Sequence, residues 1–146
     1  LPRFNNKLKL MKKAASKVYV IDNGFVAAKA FNLSENLGRL LENEVFVELL
    51  RMGYKVETTL FYYRSRNDRE VDFVTRQGTR IERLIQVCYD MSSPKTEKRE
   101  VDSLIECARE LKCNNLMVIT NNDEREILKD GYNIKVVPFV KFVMGV

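Results

Sequence analysis

The chain changes its hydrophobic period twice, and that constrains its fold more than any other feature. From residue 34 to residue 52 apolar side chains recur at helical spacing, and Gly53 stands where a left-handed C-terminal cap belongs. Over residues 54–63, 70–76 and 80–89 the period drops to two or the segment turns β-branched and aromatic, with Gln77-Gly78 as the turn of a hairpin. Helical spacing then returns in Val101, Leu104, Ile105, Ala108 and Leu111, behind an N-cap at Ser93 and a proline at the first helical position, Pro94. This predicts a second helix over residues 94–112. Short apolar runs at 116–120 and 134–138 read as buried strands, and residues 123–129 as one or two helical turns before Gly131. Residues 139–144 are compatible with either state. A short strand over residues 17–22, closed by Asn23-Gly24, opens the series. The order strand, α, β, β, β, α, β, β predicts an α/β fold, a mixed central sheet flanked by helices.

A chain of 146 residues is one domain's length. The net charge of +5 is unevenly spread, because residues 1–30 carry seven basic side chains against Asp22 alone and the remainder sums to −1. Residues 1–16 therefore read as a basic arm or connector, and residues 17–146 as the domain proper. Lys7, Lys9, Lys12 and Lys13 in that arm either meet nucleic-acid phosphates by counterion release or form a solvated face. Leu1 is not an initiator methionine, so the chain is expected to be a piece of a longer polypeptide. No apolar run reaches the roughly 18 residues of a membrane span, and no membrane partner is expected.

The chain has no histidine, which excludes imidazole general bases, Ser-His and Cys-His nucleophile pairs, and histidine metal ligands. Its six glycines nowhere show the spacing of a P-loop or a dinucleotide fingerprint. Cys88, Cys107 and Cys113 are odd in number and lack zinc or redox spacing, which fits a reduced cytoplasmic protein. Any chemistry must rest on carboxylates, lysines or a borrowed metal.

The informative acids sit where an acid costs free energy. On a helical wheel Glu42 falls within the arc of Leu41, Val45, Phe46 and Leu49, so its carboxylate needs a metal, a hydrogen-bonding partner or an arginine. Glu44 and Glu48 point elsewhere, and Glu48 is placed to pair with Arg51. In the hairpin, alternation puts Glu70, Asp72 and Val74 on one face and Val71, Phe73 and Thr75 on the other. Asp72 is expected beside Gln86 of the partner strand or diagonal to it. A helix acid facing these two strand positions is a candidate site for a hard cation.

The strings Gly38-Arg39-Leu40-Leu41-Glu42-Asn43, Glu70-Val71-Asp72-Phe73-Val74 and Ile85-Gln86-Val87-Cys88-Tyr89-Asp90 together resemble a domain of unknown function. That domain follows the AAA-type ATPase module in many archaeal and bacterial proteins. The entry Lys17-Val18-Tyr19-Val20-Ile21-Asp22-Asn23-Gly24 resembles it too. The resemblance implies a restriction-endonuclease-like, PD-(D/E)xK-type fold with an α-β-β-β-α-β core, and an upstream ATPase module in the same polypeptide. It further implies that Glu42 and Asp72 occupy two positions of the family's Mg²⁺ or Mn²⁺ site. The third position, an acid-x-lysine pair, falls on Gln86-Val87-Cys88 and is not kept. Glutamine offers oxygen without charge, and a thiol neither replaces an ammonium nor suits magnesium. Glu70, Lys95 or Lys98 are the residues that would compensate by migration. Three functions follow from this: a non-cleaving DNA-binding or docking module of an ATPase, a working Mg²⁺- or Mn²⁺-dependent endonuclease, or a structural domain in which Glu42 and Asp72 form internal salt bridges.

Overall fold

In the computed structural model, residues 1–21 and 33–145 are described. The elements run α1 (Leu8–Lys13), α2 (Leu33–Arg51), β1 (Leu60–Arg64), β2 (Glu70–Gln77), β3 (Arg80–Val87), α3 (Pro94–Leu111), β4 (Leu116–Thr120), β5 (Arg125–Lys129), β6 (Tyr132–Pro138) and α4 (Phe139–Met144). Among the described residues they form one six-stranded sheet in the order β1-β2-β3-β4-β6-β5. The first three strands are antiparallel, β3, β4 and β6 run parallel, and β5 returns antiparallel on β6. The fold is therefore the expected mixed α/β sheet flanked by helices, and the run α2-β1-β2-β3-α3-β4 has the order α-β-β-β-α-β.

Two apolar layers hold the helices to the sheet. Val45, Phe46 and Leu49 of α2 meet Leu60, Phe73, Ile85 and Ile119, joined by Phe142 of α4. On the opposite face Val101, Leu104 and Ala108 of α3 meet Val71, Val74, Leu84 and Val118. Full burial of each such side chain is worth about 1.5–3 kcal/mol relative to exposure, so both layers are needed to fix the sheet. Gly53, with φ +94°, ends α2 as its position suggested. Ser93 holds the N-cap of α3 without a side-chain cap bond.

Four expectations need correction. Residues 17–20 belong to no strand, with the Lys17 amide donating to Leu1 O (2.9 Å) instead, and Asp22-Asn23-Gly24 lies outside the described residues. Leu60, not Tyr54, opens β1; before it Lys55 O accepts the amides of Thr58, Thr59 and Leu60 in a tight turn. Residues 125–129 are a strand, not helical turns. Asp130 and Gly131, with φ +52° and +80°, make a two-residue turn that pairs Lys129 with Tyr132, the hairpin that Asp-Gly favours. Finally, the alternation of β2 is broken. Phe61 pairs with Val74 and Tyr63 with Val71, so Asp72 and Phe73 together oppose Tyr62 in a bulge. The bulge puts Val71 and Val74 in one layer and Phe73 in the other.

The basic arm lies along the outer edge of β1. Phe4 donates its amide to Tyr62 O (2.7 Å), Tyr62 donates to Pro2 O (3.1 Å), and Phe4 and Met11 are buried. Lys7, Lys9, Lys12 and Lys13 are exposed. No helix of the described residues is long and apolar enough to cross a membrane.

Candidate functional site

Beyond the pair Phe73↔Ile85, side chains take over the bonding between β2 and β3. The amide of Val87 donates to Asp72 Oδ2 (2.9 Å), and the amide of Asp72 donates to Gln86 Oε1 (3.3 Å). The β2 bulge delivers Asp72 to this gap, where its side chain is nearly buried. Its other oxygen, Oδ1, accepts from Lys17 Nζ at 2.8 Å. The same ammonium reaches Glu42 Oε1 of α2 and Glu70 Oε1 of β2, each at 2.9 Å. One lysine from the segment after the arm thus holds three carboxylates drawn from a helix and a strand.

Neighbouring groups complete the arrangement. Tyr19 donates its phenol to Glu42 Oε1 (2.5 Å), and its ring stacks on Phe46 with centroids 4.4 Å apart. Glu70 Oε2 accepts from Arg64 (2.9 Å). The Lys17 ammonium also lies 5.7 Å from the centroid of the Tyr62 ring. Asn43, next to Glu42, clasps the backbone of the segment: Val20 N–H donates to its Oδ1 (2.8 Å) and its Nδ2 donates to Val20 O (2.7 Å).

Three acids share the Lys17 ammonium, and Arg64, which also holds Asp68 (3.2 Å), reaches only Glu70 of the three, so negative charge is in excess around Asp72 and Glu42. Burial and the neighbouring Glu42 push Asp72 up to about 7, against the pull of Lys17 and the Val87 amide. For Glu70 burial acts upward, but Lys17 and Arg64 outweigh it and hold this carboxyl below its usual range. Lys17 is held protonated: burial opposes its charge, and Asp72 and Glu42 more than compensate. Burial, then Glu42, raises the Tyr19 phenol, which therefore stays a donor.

Gln86 lies apart from this cluster. Its Nε2 donates to Glu100 Oε2 of α3 (2.7 Å), and Arg99 holds the other oxygen of Glu100. Cys88 packs in the α3 layer, so residues 86 and 88 both face α3 rather than Glu42. Glu42 and Asp72 are brought together as the sequence suggested, through Lys17 and not through an arginine; Gln86 joins only by accepting the Asp72 amide. Lys95 and Lys98 are exposed on α3. Lys17, Tyr19, Asn43 and Glu100 were missed. Lys17 and Tyr19 share a side in any extended reading of the segment, which was the available signal; Glu100, four residues before Leu104, was the other.

The arrangement does not suit Mg²⁺ or Mn²⁺. The carboxylate oxygens that such an ion would need are bound by an ammonium, and the amide oxygen of Gln86 is turned to a backbone N–H. Among the described residues no group of three or more Cys, Asp or Glu side chains is arranged to hold a metal. Chemically, the cluster is an ion network in which the Lys17 ammonium holds one oxygen each of Glu42, Glu70 and Asp72 at the edge of a cavity that Arg39 also lines.

Residues 37–142 match the family described as "Domain of unknown function (DUF4143)". An uncharacterized protein of Methanocaldococcus jannaschii, MJ1544, is 38% identical over 148 residues, covering 97% of this chain and 32% of that protein. An uncharacterized protein of Haemophilus influenzae is 30% identical over 93 residues, covering 64% of this chain and 21% of that protein. The chain thus spans about a third of the first relative's length and about a fifth of the second's. Among solved structures, a chain of the "half-complex from tetradecameric assembly of Thermococcus gammatolerans McrB AAA+ hexamers with bound McrC" aligns with a TM-score of 0.43 and 10% identity, covering 90% of this chain and 39% of that one. That is a loose likeness.

Proposed function

The chain belongs to the DUF4143 family of domains of unknown function, and we propose that it is a restriction-endonuclease-like, PD-(D/E)xK-type domain that does not cleave and serves a AAA-type ATPase as a DNA-binding or docking module in the cytoplasm. The observation that carries this reading is the Lys17 ammonium at 2.8–2.9 Å from Asp72, Glu42 and Glu70. A nuclease of this type needs those oxygens for a metal that activates water and stabilises the leaving oxygen. Here a side chain of the same polypeptide neutralises them instead. Glutamine and cysteine at positions 86 and 88 support the same reading, since the acid-x-lysine pair is absent and both side chains face α3.

The exposed Lys7, Lys9, Lys12 and Lys13 support the DNA-binding part, because cations on one short arm can replace counterions along a phosphate backbone. The ATPase partner rests on the resemblance of the Glu42, Asp72 and Gln86 strings, and the cytoplasmic setting on three buried free thiols.

The test has two arms. Plasmid and labelled single strands incubated with millimolar Mg²⁺ or Mn²⁺ should remain intact; cleavage that is lost in Asp72→Asn and in chelator would overturn the reading in favour of an active nuclease. Labelled duplex titrated at several salt concentrations should bind in a salt-sensitive way. No binding even at low salt would remove the DNA part and leave docking alone.

A further inference from the structure

The two faces of the sheet are covered unequally. On the α3 side the apolar layer reaches across to β5, where Ile127 packs against it. On the α2 side the cover runs out. Phe73, Ile85, Met117, Lys135 and Glu126 are partners in one row across β2, β3, β4, β6 and β5. The first two are fully buried and Met117 is half-buried, but Lys135 and Glu126 are exposed. One row further, Arg83 of β3 is half-buried and Leu128 of β5 is 79% exposed. Parallel strands such as β4 and β6 are usually covered on both faces. Here the uncovered part is an open cavity of about 660 Å³ over Arg83, Met117 and Lys135, walled by Met52 and by Phe142 of α4. The acids around it are engaged. Lys141 holds Glu124 (2.6 Å), Asn133 donates to Glu126 (3.2 Å), and the Tyr54 phenol donates to Glu82 beside Arg83 (2.9 Å). Among the described residues Arg83 and Lys135 take part in no ion pair, and Arg83 Nε is buried without an acceptor. A donor withheld from water calls for an acceptor.

We propose that this uncovered half-face docks a segment of a partner protein in which acidic side chains alternate with apolar ones, the acids meeting Arg83 and Lys135 and the apolar side chains meeting Met52, Met117 and Phe142. Charge complementarity selects the acids, because the two cations on the face without an ionic partner are these two. β3 and β6 are two strand spacings apart, about 10 Å, so two carboxylates on one chain answer both cations where one small carboxylate answers one. The apolar surface also extends beyond the cavity, with Met52 43% and Met144 of α4 64% exposed. Methionine and arginine are side chains that protein interfaces favour, and the flexible thioether adapts to the side chain it meets. A phosphate backbone fits the face less well, since Glu124 and Glu126 line it and would repel it. The inference stands apart from the Lys17 cluster and would survive a failure of DNA binding.

The probe is a blocked synthetic octapeptide of alternating leucine and glutamate, titrated into the full chain and followed by the carbon-13 methyl signals of the methionines. Met11 and Met91 are buried in the α3 layer and serve as internal references. Met52 and Met117 should shift saturably while Met11 and Met91 stay in place. The same peptide with glutamine for glutamate should bind at least about fivefold more weakly, and Arg83→Gln and Lys135→Gln should each weaken the acidic peptide by a similar factor. Lys135 is exposed, so its variant decides the matter even where Arg83→Gln folds poorly. The inference is overturned if the acidic peptide moves neither methyl at millimolar concentration, if the glutamine peptide binds as well, or if all the methyls move together. It is equally overturned if octanoate reaches the same methyls more tightly than the peptide, which would make the cavity a site for a small amphiphile. A shift of Met52 and Met117 by duplex DNA that the peptide does not match would make it a nucleic-acid surface instead.

Discussion

Lys17 and Asp72 are 55 residues apart in sequence, yet the ammonium of one lies 2.8 Å from the carboxylate of the other. The contact exists because of two local features: a bulge in β2 that swings Asp72 into the gap beside Val87, and the segment after the arm, held to Leu1 by the Lys17 amide, that lays Lys17 across it. Either one alone would leave a buried carboxylate without its cation. The site is therefore a property of the whole β1–β2 edge together with the segment that crosses it.

Removing the ammonium should destabilise the fold. Truncating one partner of a buried ion pair costs about 3–5 kcal/mol, and here the Lys17, Glu42 and Glu70 side chains are 21%, 24% and 28% exposed to water, so Lys17→Gln should cost about 2 kcal/mol at pH 8. For a chain of this length that lowers Tm by roughly 4–8 °C. Thermal melts followed by circular dichroism measure it, and an unchanged Tm would mean that the three carboxylates are satisfied without Lys17.

The absence of histidine makes the pH profile unusually readable. Asp72 binds its proton more tightly in the folded state, at about 7, than in the unfolded chain. The folded state then carries the extra proton between about pH 4 and 7, and stability falls as pH rises through that window. Glu70 acts oppositely but only near and below its ordinary value, and Lys17 contributes stability that is lost only above the ordinary lysine range. Between pH 5 and 8 the parent should lose stability and Asp72→Asn should be flatter; the comparison also cancels the Leu1 amino group, which burial holds below its usual value. Equal slopes for the two proteins would show that Asp72 is not the titrating group.

Much of the fold was legible because it follows from hydrophobic period. Helix α2, the β2–β3 hairpin and helix α3 occur where their apolar spacing puts them, and Gly53 ends α2 as expected. The misassigned segment 123–129 carries a mixture of charges that fits a helix as well as an edge strand, and only the Asp130-Gly131 turn decides it. The site was half legible. Glu42 announces itself as a charge on an apolar arc, but the bulge that reorients Asp72 has no signature in an alternating sequence. Lys17 was hidden for another reason: directly after a basic arm one more lysine looks like solvated charge, and its partners Glu42 and Asp72 lie 25 and 55 residues away.

Divalent metal should have no effect on the parent. A ligand that binds only the folded state raises stability by RT ln(1 + [L]/Kd), so millimolar Mn²⁺ at a competent site would raise Tm measurably. With the oxygens of Glu42, Glu70 and Asp72 held by Lys17, scanning calorimetry should give the same Tm in Mn²⁺ and in chelator. A rise that disappears in Glu42→Gln would show that an ion displaces the lysine.

Restoring the acid at position 86 should harm the protein rather than revive a nuclease. Gln86 donates through Nε2 to Glu100 at 2.7 Å and accepts the Asp72 amide through Oε1. A glutamate can keep only the second bond; its remaining oxygen would face the Glu100 carboxylate, with Arg99 as the cation at hand. An acceptor pressed against an acceptor in a buried place costs about 1–3 kcal/mol beyond the lost hydrogen bond, unless one carboxyl takes up a proton. Gln86→Glu should therefore melt lower than the parent at pH 8 and recover most of the difference by pH 5, and plasmid should stay uncut with Mn²⁺ at both values. The double variant Gln86→Glu, Glu100→Gln supplies the missing donor and should regain the parent's Tm at pH 8; failure to do so would show that residue 86 is not bonded to Glu100 but to some other group of the α3 layer.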